Sequence, residues 1–481
     1  MLFNSFEFLI FLPITFLLYW FVFKSRYTQN TFIVVASYTF YGWWDWRFLL
    51  LIATTTLCSY FSGILLERQK EKRNIQKIIS VSNITLNLAI LCIFKYYNFF
   101  KDNLRELFLL FGWEVDWITL DILLPVGISF YTFQALSYTI DVYQHKIKAT
   151  HDIIAFFAFI SFFPQLVAGP IERATQLLPQ FLKKRSFDAT KAADGMRQIL
   201  WGLFKKIVIA DNCALIVNAI FNSYPEKDGF QLLMGAIFFT FQIYGDFSGY
   251  SDIAIGTSRL FGINLMRNFN NPYFSRNIAE FWRRWHISLT TWFRDYIYIP
   301  LGGSRVDRWK VLRNTSIIFL ISGFWHGANW TFICWGAFHA LLFFPLLLLN
   351  QNKKYKDTVA LDRWLPNLKD IYQMLCTFLL VVIGWIIFRA ESIPQAWDYI
   401  YCMVTKFTLS FNMPIYGNKA LAFILLMLSV EWMTRQRSHG LDIRPISIFR
   451  YRIIRWTIYY GIAFIILQWG GKQEDFIYFQ F

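Results

Sequence analysis

Two histidines, His326 and His286, are the residues of this chain whose type and position best suit chemistry. His326 lies in the run 321–328, which is apolar enough to sit within a lipid bilayer. An ionisable side chain is costly there, so such residues are usually functional. His286 precedes it by 40 positions and follows two arginines and a tryptophan. A neutral imidazole can take a proton from a hydroxyl group and so make that hydroxyl a nucleophile.

A base of this kind, with a nearby donor that stabilises an oxyanion, is the minimum apparatus for acyl transfer without a covalent enzyme intermediate. Arg283 and Arg284 suit a phosphate-bearing donor such as coenzyme A, because a guanidinium binds phosphate through two parallel hydrogen bonds. Lipid headgroups are the alternative ligand for these arginines. Asn329 follows His326 closely and is a candidate to hold the imidazole tautomer or to donate to the oxyanion. The structural alternative for His326 is a core histidine bonded to a neighbouring helix.

Two carboxylates, Asp246 and Asp252, lie in a strongly apolar segment, where a carboxylate must be protonated, paired or facing water. They are six residues apart, which separates them by about 240° around a helix, so they do not form a side-by-side acid pair. We expect them to pair with Arg283, Arg284 or Arg294. A role for Asp246 in binding the donor substrate is the alternative.

The composition defines the class of protein that must position these residues. Of the 481 residues, 56% are hydrophobic, 20% are aromatic and only 16% are charged, whereas soluble proteins carry about 25% charged residues. The apolar residues fall in runs long enough to cross a hydrocarbon core of about 30 Å. The net charge of +16 is explained by basic cytoplasmic loops, so it gives no reason to expect a nucleic acid partner. We therefore predict an all-α, multi-pass integral membrane protein with one domain over residues 1–481.

Twelve apolar segments are predicted to span the membrane, and the charges between them orient the chain. Basic connectors near residues 24–26, 67–77, 145–148, 183–185, 305–313 and 435–455 should face the cytoplasm, and the acidic connectors near 106–121, 226–228 and 474–475 should lie outside. This arrangement places both termini outside. The predicted spans are 5–23, 31–45, 48–66, 77–99, 121–142, 200–220, 230–260, 313–327, 330–350, 371–389, 418–434 and 453–470.

Two further segments should enter the membrane without crossing it. The segment 153–170 is apolar but contains a Phe-Pro-Gln break, and it ends in Ala-Gly-Pro. Irregular backbone survives at membrane depth only when it is buried in protein or lines a cavity, which makes Gln165 a candidate substrate contact. The segment 278–303, which contains His286, carries too much charge to span, although its aromatic residues belong at a membrane interface.

Five long motifs occur along the chain in the order LPVGISFYTFQ (124–134), FPQLVAGPI (163–171), GDFSGYSD (245–252), FWRRWHISL (281–289) and GFWHGA (323–328). These motifs, in this order, resemble those of the membrane-bound O-acyltransferases, and in particular of their bacterial O-acetyltransferase branch. With the ending FIYFQF at 476–481, the resemblance covers nearly the whole chain.

The resemblance implies a ring of about 11–12 transmembrane helices, with re-entrant helices, around a central funnel. His326 matches the near-invariant histidine of the family, and His286 matches its second active-site position. The expected donor is cytosolic acetyl-CoA, with no tightly bound cofactor and no metal. The acetyl group would pass outward to an extracytoplasmic SGNH-type acetyltransferase partner, which modifies a polysaccharide such as alginate, another exopolysaccharide or peptidoglycan. The expected location is the bacterial cytoplasmic membrane, in contact with its lipid.

Three other functions remain open at this point. A similar core transfers D-alanine from a carrier protein to teichoic acids, although the length and ending of this chain favour the acetyl branch. A lipid or polymer transporter would depend less on one imidazole, and the inverted repeat of many transporters is absent from the sequence. A metal-dependent membrane hydrolase would need a ligand cluster such as His-Glu-x-x-His, and that spacing does not occur.

Overall fold

The computed structural model of the protein describes residues 1–113, 122–408, 413, 415–443, 451–471, 473–474 and 476–477. These residues form helices, turns and loops and contain no β-strand, which confirms the predicted all-α class. Part of the expected outer connector (Glu114, Asp116 and Asp121), part of the basic connector 435–455 and residues 478–481 of the terminal motif lie outside the described residues.

The chain forms two compact units. The first comprises Met1–Ala192 and Ser258–Leu265, and the second comprises Ala193–Thr257 and Met266–Phe481. The helices of the first unit are α1 (Phe6–Leu17, continued by a π-helical turn at Leu18–Val22), α2 (Arg26–Gly42), α3 (Phe48–Arg68), α4 (Arg73–Leu110), α5 (Ile128–Tyr143), α6 (Ile153–Ser161), α7 (Phe163–Leu166) and α8 (Ala174–Leu182).

The second unit contains the remaining helices, apart from the first residues of α9 and the last of α11. They are α9 (Ala189–Leu203, continued through a π-helical turn at Phe204–Ala210), α10 (Asp211–Phe221), α11 (Gly229–Leu260), α12 (Ile278–Arg284), α13 (Ile287–Phe293, followed by a π-helical turn at Arg294–Tyr298), α14 (Arg308–His326), α15 (Trp330–Leu348), α16 (Leu368–Arg389), α17 (Ile393–Thr405), α18 (Gly417–Met433) and α19 (Arg452–Trp469). Short 3₁₀ turns lie at Tyr224–Glu226 and Pro272–Phe274.

Each of the twelve predicted apolar segments contains a helix. In the described part of the chain, α3, α4, α15 and α16 are long and apolar enough to cross a membrane by length and composition, and α1 with its π-helical turn forms a shorter apolar helix. The 38 residues of α4 extend well past the predicted span 77–99 and cover about 57 Å at 1.5 Å per residue. The number of crossings and the position of the termini stay predictions.

Both predicted re-entrant segments are broken helices. In the first unit, α6 ends at Ser161, and a new four-residue helix starts at Phe163 with proline in its first turn. Proline is tolerated there because that position needs no backbone donor. In the second unit, α12 and α13 are seven residues each, too short to cross a bilayer. The break between them falls at Trp285 and His286.

The hairpin of α14 and α15 carries His326, and two glycines allow its helices to pack closely. A Cβ added to Gly323 would lie 2.2 Å from the carbonyl oxygen of Phe332, and one added to Gly336 would lie 2.3 Å from that of Phe319. Small residues at such positions let backbones approach in membrane helix pairs. The position of His326 against α15 therefore depends on these two residues.

We expect Gly323→Val to destabilise this hairpin, because the new side chain meets backbone atoms that cannot move aside. Overpacking of this kind costs about 1–3 kcal/mol. The measurement is the thermal unfolding midpoint of the detergent-solubilised protein, which should fall. Gly461→Val in α19 is the matched control, because a Cβ there meets none of the described residues within 4 Å. Equal midpoints for the two variants would contradict this account of the hairpin.

Candidate active site

His326 is the last residue of α14 and is 3% exposed. The helix stops there because Gly327 adopts extended backbone and Asn329 then begins α15 as its N-cap. Three aromatic rings surround the imidazole, with centroid distances of 4.9 Å to Trp325, 5.1 Å to Trp335 and 5.5 Å to Phe388. The end of the helix therefore places an imidazole inside an aromatic pocket.

His286 is held in left-handed backbone conformation, with φ of 43°, at the break between α12 and α13. That conformation is rare for residues other than glycine and costs of order 1–3 kcal/mol. Two backbone hydrogen bonds of 2.9 Å hold the break in place: Ile287 donates to the carbonyl of Asn268, and Asn270 donates to the carbonyl of Arg284. Strain that the surrounding structure enforces in this way is typical of functional sites.

The break brings the two predicted catalytic histidines together. Their ring centroids are 6.5 Å apart, and the His286 ring also stands edge-on to Phe247 at 4.6 Å. His286 is 1% exposed, so its ring is removed from water. Two buried imidazoles at this separation can bind and relay a proton from a substrate placed between or beside them.

The two predicted donor-binding arginines have different environments. Arg283 is exposed and donates to the backbone carbonyls of Asn352 and Tyr355. Arg284 is buried and forms an ion pair with Glu280 at 2.9 Å. Glu280 also binds Arg276 at 3.0 Å, so a carboxylate between two arginines fixes α12. Arg284 thus has a structural partner within the protein, whereas Arg283 remains accessible at the surface.

The predicted contacts Asn329 and Gln165 bond mainly to the backbone around them. The Asn329 side chain accepts a hydrogen bond from the Thr331 amide and donates to the carbonyl of Glu391, both at 3.0 Å. Gln165 belongs to the first unit, where its Nε2 atom donates to the carbonyl of Phe159 at 2.7 Å. Their proposed roles toward substrate stay predictions.

The expected pairing of Asp246 and Asp252 with arginines was wrong, because lysines of the π-helical turn after α9 bind both carboxylates. Lys206 lies 2.9 Å from Asp246 and 2.8 Å from Asp211, and Lys205 forms an ion pair with Asp252. Asp246 also accepts a hydrogen bond from the Ile477 amide at 2.7 Å. The π-helical turn gives two consecutive lysines positions from which both reach α11.

A cavity of about 260 Å³ lies between α12, α13, α14 and α15. Its wall is mostly apolar, and three exposed cations line it: Arg283, Arg294 and Lys353. Ser322 of α14 and Thr290 of α13 also line the cavity. Ser322 precedes His326 by four residues and Thr290 follows His286 by four, which is about 6 Å along a helix. The cavity therefore combines a basic opening with walls one helical turn from both histidines, although neither imidazole lines it.

Sequence reasoning missed two residues of this site, Trp335 and Asn268. Trp335 packs between His326 and His339, and Asn268 contacts His286 through its side chain. The signal for Asn268 was a polar run, Arg267 to Asn271, between two predicted membrane segments. In the described ranges, no group of three or more His, Cys, Asp or Glu side chains is placed to hold a metal ion.

The fold is helical, and two buried imidazoles lie near a cation-lined cavity, an arrangement that suits acyl transfer within a membrane. Residues 146–383 match the model of the membrane-bound O-acyltransferase family. The chain is 43% identical to the probable alginate O-acetylase AlgI of Pseudomonas aeruginosa over 82% of this chain and 74% of that protein. It therefore belongs to the membrane-bound O-acyltransferase family and is an acyltransferase.

Other relatives carry different names. The peptidoglycan O-acetyltransferase of Helicobacter pylori is 31% identical over 98% of this chain and 95% of that protein. The teichoic acid D-alanyltransferase of Bacillus subtilis is 30% identical over 55% of this chain and 69% of that protein. The two relatives named for O-acetyl transfer are therefore similar over most of this chain, and the D-alanyltransferase is similar over about half of it.

Proposed function

We propose that this protein takes acetyl groups from cytosolic acetyl-CoA and passes them across the bacterial cytoplasmic membrane for O-acetylation of a polysaccharide. The observation that carries the proposal is the pair of buried imidazoles 6.5 Å apart, next to a cavity with an apolar wall and a basic opening. The names of the relatives similar over most of the chain, alginate O-acetylase and peptidoglycan O-acetyltransferase, support acetyl as the transferred group.

The cavity suits the chemical character of coenzyme A. The pantetheine arm is long and mostly uncharged, which suits a cavity with a mostly apolar wall. The negatively charged phosphates match the cations Arg283, Arg294 and Lys353 at the opening. Lysine binds phosphate as a point charge and arginine as a planar fork. With the phosphates at the opening, the thioester would point toward His286 and His326.

The reaction then needs one proton acceptor and no covalent enzyme intermediate. An acceptor hydroxyl loses its proton to the imidazole pair while its oxygen bonds to the thioester carbonyl carbon. The carbon–sulfur bond of the tetrahedral intermediate then breaks, and the imidazolium returns the proton to the sulfur. The products are an acetyl ester and free coenzyme A, and both histidines return to their starting protonation states.

The acceptor side of the proposal involves a partner. We infer that the acetyl group leaves toward an extracytoplasmic SGNH-type acetyltransferase, which modifies the polysaccharide, so this chain contacts the polymer only indirectly. Both termini would lie on the same outer side. D-alanyl transfer to teichoic acid is the alternative within this family, and the relative named for it matches about half of this chain.

The test is the transfer of labelled acetyl from acetyl-CoA in inverted membrane vesicles that also contain the co-expressed partner. His326→Ala should abolish transfer because it removes one imidazole of the pair, a loss of at least about 10²-fold in rate. His151→Ala is the matched control, since His151 pairs with Glu67 and its side chain is 72% exposed. Equal transfer by wild type and His326→Ala would remove His326 from the chemistry. No transfer by a folded wild type would refute acetyl-CoA as donor.

The basic opening gives a separate prediction. We expect Lys353→Glu to raise the KM for acetyl-CoA several-fold with little change in kcat, because it replaces an attractive charge with a repulsive one at the opening and leaves both imidazoles in place. Lys356→Glu, three residues along the same exposed loop, makes the same charge change outside the cavity lining. Steady-state kinetics of vesicles at low ionic strength measures both. Identical KM values for the two variants would contradict donor entry at this opening.

A further inference from the structure

Asn268 is a fully buried residue of the segment between α11 and α12, and its side chain touches His286. The Asn268 Oδ1 atom accepts hydrogen bonds from the Ser288 amide at 3.2 Å and from the Ser288 hydroxyl at 2.9 Å. It also lies 3.2 Å from Nδ1 of His286. On its other side, Nδ2 donates to the Ser251 hydroxyl at 3.3 Å. One amide thus joins His286, α11 and the start of α13.

The backbone of Ser288 determines which way this amide points. A backbone N–H can only donate, so the Asn268 atom that faces it must be the oxygen. The reverse orientation would place two donors against each other and leave the Ser288 amide unsatisfied in the interior, at a cost of roughly 1–3 kcal/mol. The carbonyl oxygen of the Asn268 side chain is therefore the atom that faces Nδ1 of His286.

That orientation fixes the tautomer of the histidine. A carbonyl oxygen has no proton to donate, so Nδ1 of His286 must carry the hydrogen of this bond. The Ser288 hydroxyl, 3.4 Å from Nδ1, already donates to Asn268 and can accept from the same N–H. In a neutral imidazole the other nitrogen, Nε2, then bears the lone pair.

Nε2 of His286 is the ring nitrogen that can accept a proton from a substrate. It is buried and has no hydrogen-bond partner among the described residues. The ring stands among Phe247, Trp325 and His326, at centroid distances of 4.6, 5.8 and 6.5 Å. An unsatisfied buried acceptor is unfavourable, and a hydroxyl group brought in by a substrate would satisfy it.

We propose that Asn268 is a positioning residue that holds His286 in the Nδ1–H tautomer and makes its Nε2 atom a proton acceptor in the reaction. The inference rests on the proposed acyltransferase function. The acceptor hydroxyl gives its proton to Nε2 as its oxygen bonds to the thioester carbon, and the imidazolium returns that proton to sulfur as the carbon–sulfur bond breaks. In this tautomer, neutral His286 cannot donate to the oxyanion, so another N–H group does so.

The test reads the tautomer directly, from the ¹⁵N chemical shifts of the protein labelled with ¹⁵N-histidine. Protonated and unprotonated ring nitrogens have distinct shifts, and the His286 signals are those that disappear in His286→Gln. We expect Nδ1 to be protonated and Nε2 unprotonated in the wild type near pH 7. The opposite pattern in the wild type would overturn the inference, whatever the variants do.

Three variants extend the test to activity. Asn268→Leu removes the acceptor and should mix the tautomers and lower kcat about 10-fold to 100-fold. Asn268→Asp keeps an oxygen toward Nδ1, so it should keep the tautomer and recover most of the activity lost in Asn268→Leu. Asn270→Leu is the matched control, because Asn270 bonds to Arg284 only through backbone atoms. An unchanged His286 spectrum in Asn268→Leu would overturn the role of Asn268.

The two readouts separate this inference from the function on which it rests. A wild type that shows the expected tautomer but transfers no acetyl group in the vesicle assay contradicts the proposed function. A wild type that transfers acetyl groups but carries the His286 proton on Nε2 overturns only the inference.

Discussion

The burial of two imidazoles in one aromatic pocket is the constraint on which the rest of the site depends. Each ring reaches the pocket because a helix stops: α14 ends at His326, and α12 ends just before His286. The second break requires left-handed backbone at a histidine, which the backbone bonds to Asn268 and Asn270 stabilise. Both rings are removed from water, and an imidazole in its neutral form can accept a proton.

The sequence predicted most of the helices because membrane spans are apolar runs of a length set by the bilayer. It also predicted the break at Phe163, since proline interrupts a helix, and it predicted that 278–303 is too charged to span. His326 was singled out because an ionisable residue in an apolar run is conspicuous, and His286 because it lies beside Trp285 in a segment too charged to span. Their catalytic roles stay predictions. These features are local, so a single chain without relatives was enough to show them.

Features that depend on contacts between distant segments were missed. Lys206 and Asp246 are 40 positions apart, and the arginines near His286 were equally acceptable partners on charge alone. The π-helical turn that aims Lys205 and Lys206 at α11 has no clear sequence signal. Asn268 was missed for the same reason, because an asparagine in a polar loop is ordinary until the fold places it against an imidazole.

The proposal that the acyl donor binds in this cavity and reaches both histidines can be tested with a structure of the protein bound to acetonyl-coenzyme A. This ketone analogue of acetyl-CoA cannot transfer its acyl group. We expect the phosphates to lie at Arg283, Arg294 and Lys353, and the pantetheine arm to fill the cavity. The ketone should reach the pocket of His286 and His326. An analogue bound elsewhere, or with its ketone remote from both imidazoles, would contradict the account.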